Sequence, residues 1–369
     1  MTPPPPPPQL LSAAAIFFIL AASTCFPPSA AAKPNNGAGI KGAFVFGSSL
    51  VDNGNNNFLA KALAKSNYPP YGIDFPGGVP TGRYTNGKNV VDFITDQLGI
   101  PPLPPSRDPS TAGAGVARGV DFASGGSGIL DETGAITGQV ISLNEQIKDF
   151  ETSTLPELEK LLNCQREELL PDYLFVVGTG GNDYTLNYFL NLTNPRPDLE
   201  AFTSNLISSL SAKLLHLRGL GARKFALMAI YPLGCTPSAR QRSPGTTGCI
   251  APLNFAAQLF NTKLKSMVDT LNQQQPDSKF VMINAYGIID QILNKPVLAG
   301  FSDTVNPCCE ATTILCNRGG AACDNRRAYV FFDGLHTTDA VNLQIATRAY
   351  GSTCKDDVYP INIGQLAML

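Results

Sequence analysis

Tryptophan is absent from this chain of 369 residues, histidine occurs twice, and only 15% of the side chains are charged. The 27 basic and 29 acidic groups leave a net charge of −2, with no basic tract or repeat. Nothing here is suited to hold a nucleic-acid backbone or to steer an acidic partner over long range. Long apolar runs are also missing. The longest such stretch, Leu10 to Ala22, covers 13 residues, against the roughly 20 that span a bilayer. No transmembrane anchor is expected in the mature chain. The cysteine cluster at 308–323 contains no CxxC pair and no neighbouring histidine, which argues against zinc.

What is present at the N-terminus reads as a targeting signal. The apolar stretch is followed by Ser29-Ala30-Ala31-Ala32, small residues of the kind a signal peptidase requires. The expectation is a secretory signal over 1–32 and a mature chain, 33–369, forming one domain. Cys25 would leave with the signal. Eight cysteines remain, and an even number in a secreted chain reads as disulfides. A sequon at Asn191-Leu192-Thr193 fits the same extracellular compartment and makes Asn191 a glycosylation candidate.

Five apolar runs have strand character: Phe44–Phe46, Gly119–Ala123, Tyr173–Val177, Lys224–Ile230 and Lys279–Asn284. Between them lie segments of helical spacing at Val90–Leu98, Ile141–Leu162 (broken near Pro156), Asp198–Leu217 and Leu253–Leu271, with a last one at Asp339–Tyr350. Fully apolar strands alternating with amphipathic helices predict a parallel sheet covered on both faces. Three strands run into glycine clusters that carry polar groups: Gly47-Ser48-Ser49, Ser124-Gly125-Gly126 and Gly180-Gly181-Asn182-Asp183. Parallel strands share one carboxyl edge, so these loops should converge there.

A serine nucleophile needs a base, and the base needs an orienting acid. His216 lies inside a predicted helix among leucines, where a packed or surface histidine is the simpler account. His336 follows Asp333 by three residues, close enough for the carboxylate to hold one imidazole nitrogen. Helix capping by Thr337 or Thr338 explains the same stretch without chemistry. Scarcity favours His336: if Ser49 is activated, this is the natural base.

These residues resemble a known family. Phe44-Val45-Phe46-Gly47-Ser48-Ser49-Leu50-Val51-Asp52-Asn53-Gly54-Asn55-Asn56, Phe122-Ala123-Ser124-Gly125-Gly126, Gly180-Gly181-Asn182-Asp183 and Asp333-Gly334-Leu335-His336 are similar, in that order, to four sequence blocks of the plant-type GDSL lipase/esterase group. That group belongs to the SGNH hydrolase superfamily. Gly82-Arg83, Asn86-Gly87 and Pro232-Leu233-Gly234-Cys235 match its plant branch. The resemblance implies the SGNH hydrolase fold, an α/β, flavodoxin-like three-layer sandwich around a central, mostly parallel sheet of about five strands. It also implies acyl transfer with Ser49 as nucleophile, His336 as base and Asp333 as its orienter. The oxyanion would be held by the Ser49 N–H, the Gly125 N–H and the Asn182 amide. The substrate would be a small-molecule, lipid or polymer ester, with no cofactor and no metal.

Three positions depart from the family pattern. Ser48 stands where the family has aspartate, Asp121 where asparagine is usual, and Thr337 where proline is common. The first removes a carboxylate beside the nucleophile and sets two serines side by side. It motivates one alternative to a secreted ester hydrolase, an impaired member that serves as an extracellular binding protein; a second alternative, independent of Ser48, is a transacylase in which an alcohol replaces water.

Overall fold

A computed structural model describes Met1 and residues 39–190, 198–242, 248–312 and 314–369. The expected signal segment beyond Met1 and the sequon at Asn191 lie outside the described residues.

The five apolar runs form strands, each one or two residues shorter at its carboxyl end than the sequence suggested, apart from β1 and β3. They are β1 (Gly42–Gly47), β2 (Gly119–Asp121), β3 (Tyr173–Gly178), β4 (Lys224–Met228) and β5 (Lys279–Ile283). All of β1, β2, β3 and β4 is buried. Most residues on both faces of these strands are apolar because both faces are covered. A parallel pair, β6 (Asp303–Pro307) with β7 (Tyr329–Phe331), stands apart from the main sheet. The short β8 (Val358–Tyr359) adds an antiparallel edge to β5. The central sheet thus has six strands in the order β2-β1-β3-β4-β5-β8, the first five parallel.

The order 2-1-3-4-5 is that of flavodoxin-like sheets. Its connections reverse direction between β1 and β3, opening a crevice beyond their carboxyl ends. Register makes this crevice level: Gly47 of β1 pairs with Gly178 of β3, so Ser48-Ser49 and Thr179–Asn182 emerge side by side. Gly47 has φ +142°, and a Cβ there would lie 2.1 Å from the Gly178 carbonyl oxygen. Only glycine fits that crossing.

The helices follow their sequence signals. Val90–Leu98 starts at a capping box between Asn89 and Asp92 and stops at Gly99 in the left-handed region. Leu199–Gly219 is capped by Asp198, and Ala251–Gln274 and Asp339–Gly351 cover other faces. The expected break near Pro156 is not a break. Leu143–Asp149 runs through a π turn at Phe150–Thr154 into Leu155–Leu162, and the proline sits in the first turn of that last segment. A wider turn just ahead of it absorbs the misfit a proline brings to a helix. Phe150, on that turn, reaches the sheet and packs 4.8 Å from Phe44, at the centre of an aromatic core that includes Phe46, Phe122 and Phe175.

Cysteine pairing is less complete than the even count predicts. Among the described residues Cys235–Cys249, Cys308–Cys323 and Cys309–Cys316 are bridged and Cys354 is also disulfide-bonded, but Cys164 is a free thiol. It lies on the surface turn after Leu162, beside Glu168 at 3.4 Å.

Candidate active site

The crevice brings together residues from three distant parts of the chain. Ser49 follows β1, Asn182 follows β3, and Asp333 and His336 lie in the loop after β7. That loop closes on itself through the Phe332 N–H donating to the His336 carbonyl at 2.8 Å. His336 Nε2 lies 2.7 Å from Ser49 Oγ, and His336 Nδ1 lies 2.8 and 3.0 Å from the two oxygens of Asp333. Asp333 is fully buried and accepts two further main-chain bonds, from Leu335 and His336 at 2.8 and 2.7 Å. In this order the imidazole is placed to take the serine proton while the carboxylate orients the ring.

Of the two adjacent serines, Ser49 meets the imidazole. Ser48 turns the other way, its N–H donating to the Gly178 carbonyl at 3.0 Å and its hydroxyl to the same oxygen at 3.5 Å. His216 is on the surface, paired with Glu151 at 2.9 Å, outside the site. Thr338 occupies the cap position of Asp339–Gly351 without capping it; its hydroxyl donates to the Tyr329 carbonyl at 2.7 Å.

Asn182 is buried and spends one amide hydrogen on the Ser127 carbonyl at 2.9 Å, which leaves the second for a ligand. Gly125 is arranged differently from expectation. Its N–H donates to Asp52 Oδ2 at 2.9 Å, so that donor is engaged. Gly126, the next residue, borders the same cavity as Ser49, Asn182 and His336. Among the described residues its N–H, like that of Ser49, makes no hydrogen bond. Gly125 has another duty: a Cβ there would lie 2.1 Å from the Tyr84 hydroxyl, and the Tyr84 ring packs 5.0 Å from His336.

Much of the polar sequence around Ser49 turns out to be scaffolding. Asp52 Oδ1 accepts the Gly54 and Asn55 N–H groups at 2.7 and 2.8 Å, while Oδ2 holds Gly125. Burial pushes the Asp52 carboxyl up to about 6, against the pull of these donors and of Arg83. Asn55 donates to the carbonyls of Asp121 and Ala123, both at 2.9 Å. Asn56 donates to the Gly125 carbonyl at 2.8 Å and accepts from Ser124 Oγ at 2.6 Å. Asp183 accepts the Ile129 and Leu130 N–H groups and the Thr133 hydroxyl, and burial lifts it to about 6. The Asn-rich tract and Asp183 therefore fix the glycine loop at 124–128 from both sides.

Sequence reasoning missed Gln146. Fully buried on the Leu143–Asp149 helix, it accepts the Gly47 N–H at 2.7 Å and donates to the Gly47 carbonyl at 2.9 Å. It lies 99 residues from its partner, and one buried glutamine on a helix leaves no local signal. Tyr71 was missed for the same reason.

The family model for GDSL-like lipase/acylhydrolase matches residues 44–349. This chain belongs to that family. It is 43% identical to the Arabidopsis thaliana protein GDSL esterase/lipase At1g29670 over 335 residues, covering 88% of this chain and 91% of the relative. It is 42% identical to GDSL esterase/lipase At5g08460 of the same plant, covering 88% of this chain and 87% of the relative. The chain is thus a carboxylic ester hydrolase of the GDSL esterase/lipase family. In this GDSL chain a cavity of about 790 Å³ opens onto Ser49 and His336. Its walls include Leu63, Ile136, Phe189, Leu253, Ile314 and Leu335, so they are largely apolar.

Proposed function

We propose that this esterase cleaves acyl esters through a covalent intermediate on Ser49. The observation that carries the reading is the unbroken contact from Ser49 Oγ through His336 to Asp333. As Ser49 Oγ attacks the ester carbonyl carbon, His336 Nε2 takes its proton and the carbonyl electron pair moves to oxygen. Collapse of the tetrahedral species breaks the bond to the alkoxide, which receives the proton from His336 and leaves as an alcohol. Water repeats the sequence on the acyl-enzyme and regenerates Ser49. Asp333 keeps the imidazole oriented and offsets its charge.

The Ser49 N–H and the second Asn182 amide hydrogen serve as oxyanion donors in this reading. Because the Gly125 N–H is held by Asp52, we assign the remaining main-chain donor to Gly126. Each donor is worth about 10²–10³ in turnover. The cavity suits an apolar acyl chain, since a site of this size and lining binds through buried hydrocarbon surface. The disulfides and the plant relatives support an extracellular protein of the cell wall or apoplast, made with a signal over 1–32, a single domain over 33–369 and a glycan on Asn191.

The test is covalent labelling with a fluorophosphonate followed by peptide mapping. The label is expected on Ser49, with Ser49→Ala unlabelled and its p-nitrophenyl ester hydrolysis reduced about 10⁴–10⁶-fold. Modification of Ser48, or full activity in Ser49→Ala, overturns the mechanism.

A further inference from the structure

The carboxylate of Asp333 has one partner that the family's sequence blocks do not supply. The Tyr71 hydroxyl donates to Asp333 Oδ2 at 2.7 Å. Tyr71 is 1% exposed and lies 262 residues from Asp333 in the chain. Its oxygen in turn accepts the Cys316 N–H at 3.0 Å. The Cys316 carbonyl accepts from the Tyr68 hydroxyl at 2.9 Å, so two tyrosines hold the main chain of Cys316 on both sides. Cys316 itself is bridged to Cys309, and the adjacent Cys308 to Cys323.

We propose that Tyr71 is a positioning residue for Asp333, and that the loop closed by Cys309–Cys316 sets Tyr71 in turn. The proposal rests on the Ser49–His336–Asp333 reading above. Among the described residues no lysine or arginine pairs with Asp333, which faces the His336 imidazole at 2.8 Å. Its buried charge is therefore held by neutral donors: two main-chain N–H groups on Oδ1 and the phenol on Oδ2. With only the Oδ1 bonds, the carboxylate is fixed at one oxygen and free to swing about it. The phenol fixes the second oxygen, and with it the plane presented to His336 Nδ1.

The phenol can do this only if its own direction is fixed and its proton stays on. The Cys316 N–H occupies one lone pair of the Tyr71 oxygen, which leaves the O–H to point at Asp333. Burial and the Asp333 charge both push the Tyr71 phenol well above its ordinary value, so it remains a donor. Edge-on packing against Phe332, with ring centres 5.6 Å apart, holds the ring beside the residue that precedes Asp333. The contacts run without interruption from a disulfide-closed loop to the proposed nucleophile.

Tyr71→Phe in the full chain removes the hydroxyl and keeps the ring. Turnover per active site, with sites counted by fluorophosphonate titration, is expected to fall about 10–100-fold, the range seen when a partner orienting a functional group is lost. KM should stay within about twofold. Counting sites removes any loss of folded protein, so a packing role alone leaves this kcat unchanged. Wild-type kcat in Tyr71→Phe, or a loss carried by KM, overturns the proposal. The paired variant Cys309→Ser/Cys316→Ser should lower kcat in the same way and add little to Tyr71→Phe when combined with it. Full additivity, or kcat unchanged in the paired variant, removes the disulfide loop from the inference; if that variant does not fold, Tyr71→Phe alone decides. Ser49→Ala keeps the two readings apart, because its full activity would sink the mechanism whatever Tyr71→Phe does.

Discussion

Two serines follow β1, and a single residue of register separates the one that meets His336 from the one that does not. Ser48 has only a long hydroxyl contact to the Gly178 carbonyl, and it faces away from His336. Ser48→Ala is therefore expected to keep hydrolysis within about threefold of wild type, because a neutral hydrogen bond contributes only about 1 kcal/mol. Steady-state kinetics on p-nitrophenyl esters check this, and a collapse of activity would give Ser48 a role its position does not suggest. A second departure from the family pattern, Asp121, carries a sharper expectation. Asp121 is fully buried, and its Oδ2 has no partner among the described residues. The charged and titratable groups that act on it are Asp52, Arg83 and Asp92, and burial with the Asp52 charge pushes it well above 3.8. A carboxyl raised in this way is tolerated when neutral. Its contribution to stability is full below the unfolded value and is lost as pH rises through the folded one. For Asp52 and Asp183 that window runs from 3.8 to about 6, and for Asp121 it likewise opens upward from 3.8. Asp121→Asn should be more stable than wild type at pH 8, by about 1–3 kcal/mol, and should lose that advantage toward pH 4. Urea unfolding across this range decides it; parallel stability curves would remove Asp121 as the cause.

At the scale of elements, much of the architecture was legible because buried parallel strands are apolar on both faces. Phe44–Phe46 and Tyr173–Val177 can hardly be anything else. Ser49, His336 and Asp333 stood out for a related reason: with two histidines in the chain, few bases compete. What stayed hidden are contacts between elements. β6 is only partly buried and pairs with a three-residue β7 in a region pinned by two disulfides, so neither has a strong local pattern. Gly125 could be placed at the crevice, but only the fold shows Asp52 holding its N–H. Gln146 is the plainest instance. It ties the helix at Leu143–Asp149 to the end of β1 by a pair of hydrogen bonds on Gly47. Gln146→Leu keeps the bulk and strands the buried Gly47 N–H, at about 1–3 kcal/mol, while the Gly47 carbonyl keeps its bonds from Ser124 and Ser127. The expected outcome is a lower urea midpoint with an unchanged slope. An unchanged midpoint would mean the β1 end is held without this clamp.

The whole molecule assembles its cavity from segments that no local pattern connects. Leu63 precedes β2, Ile136 follows it, Phe189 follows β3, Leu253 sits at the start of a long helix, and Ile314 lies between the cysteines of the Cys309–Cys316 loop. The shared sheet edge delivers Ser49 and Asn182 to the floor, and these connecting segments raise apolar walls around them. Such a site should distinguish esters by hydrocarbon length. Each methylene that leaves water gains about 0.8 kcal/mol, which is up to about fourfold in kcat/KM when it is fully buried in the transition state. The rate constant should therefore climb from acetyl to octanoyl p-nitrophenyl esters and level off once the chain outgrows the cavity. Leu253→Asp places a charge on that apolar wall, and an isolated buried carboxylate is costly enough to draw in water. Longer esters should then lose about tenfold or more in kcat/KM while the acetyl ester, which stays near Ser49, loses little. A loss that is uniform across chain lengths would show that this wall does not hold the acyl group, and that the cavity takes the alcohol portion instead.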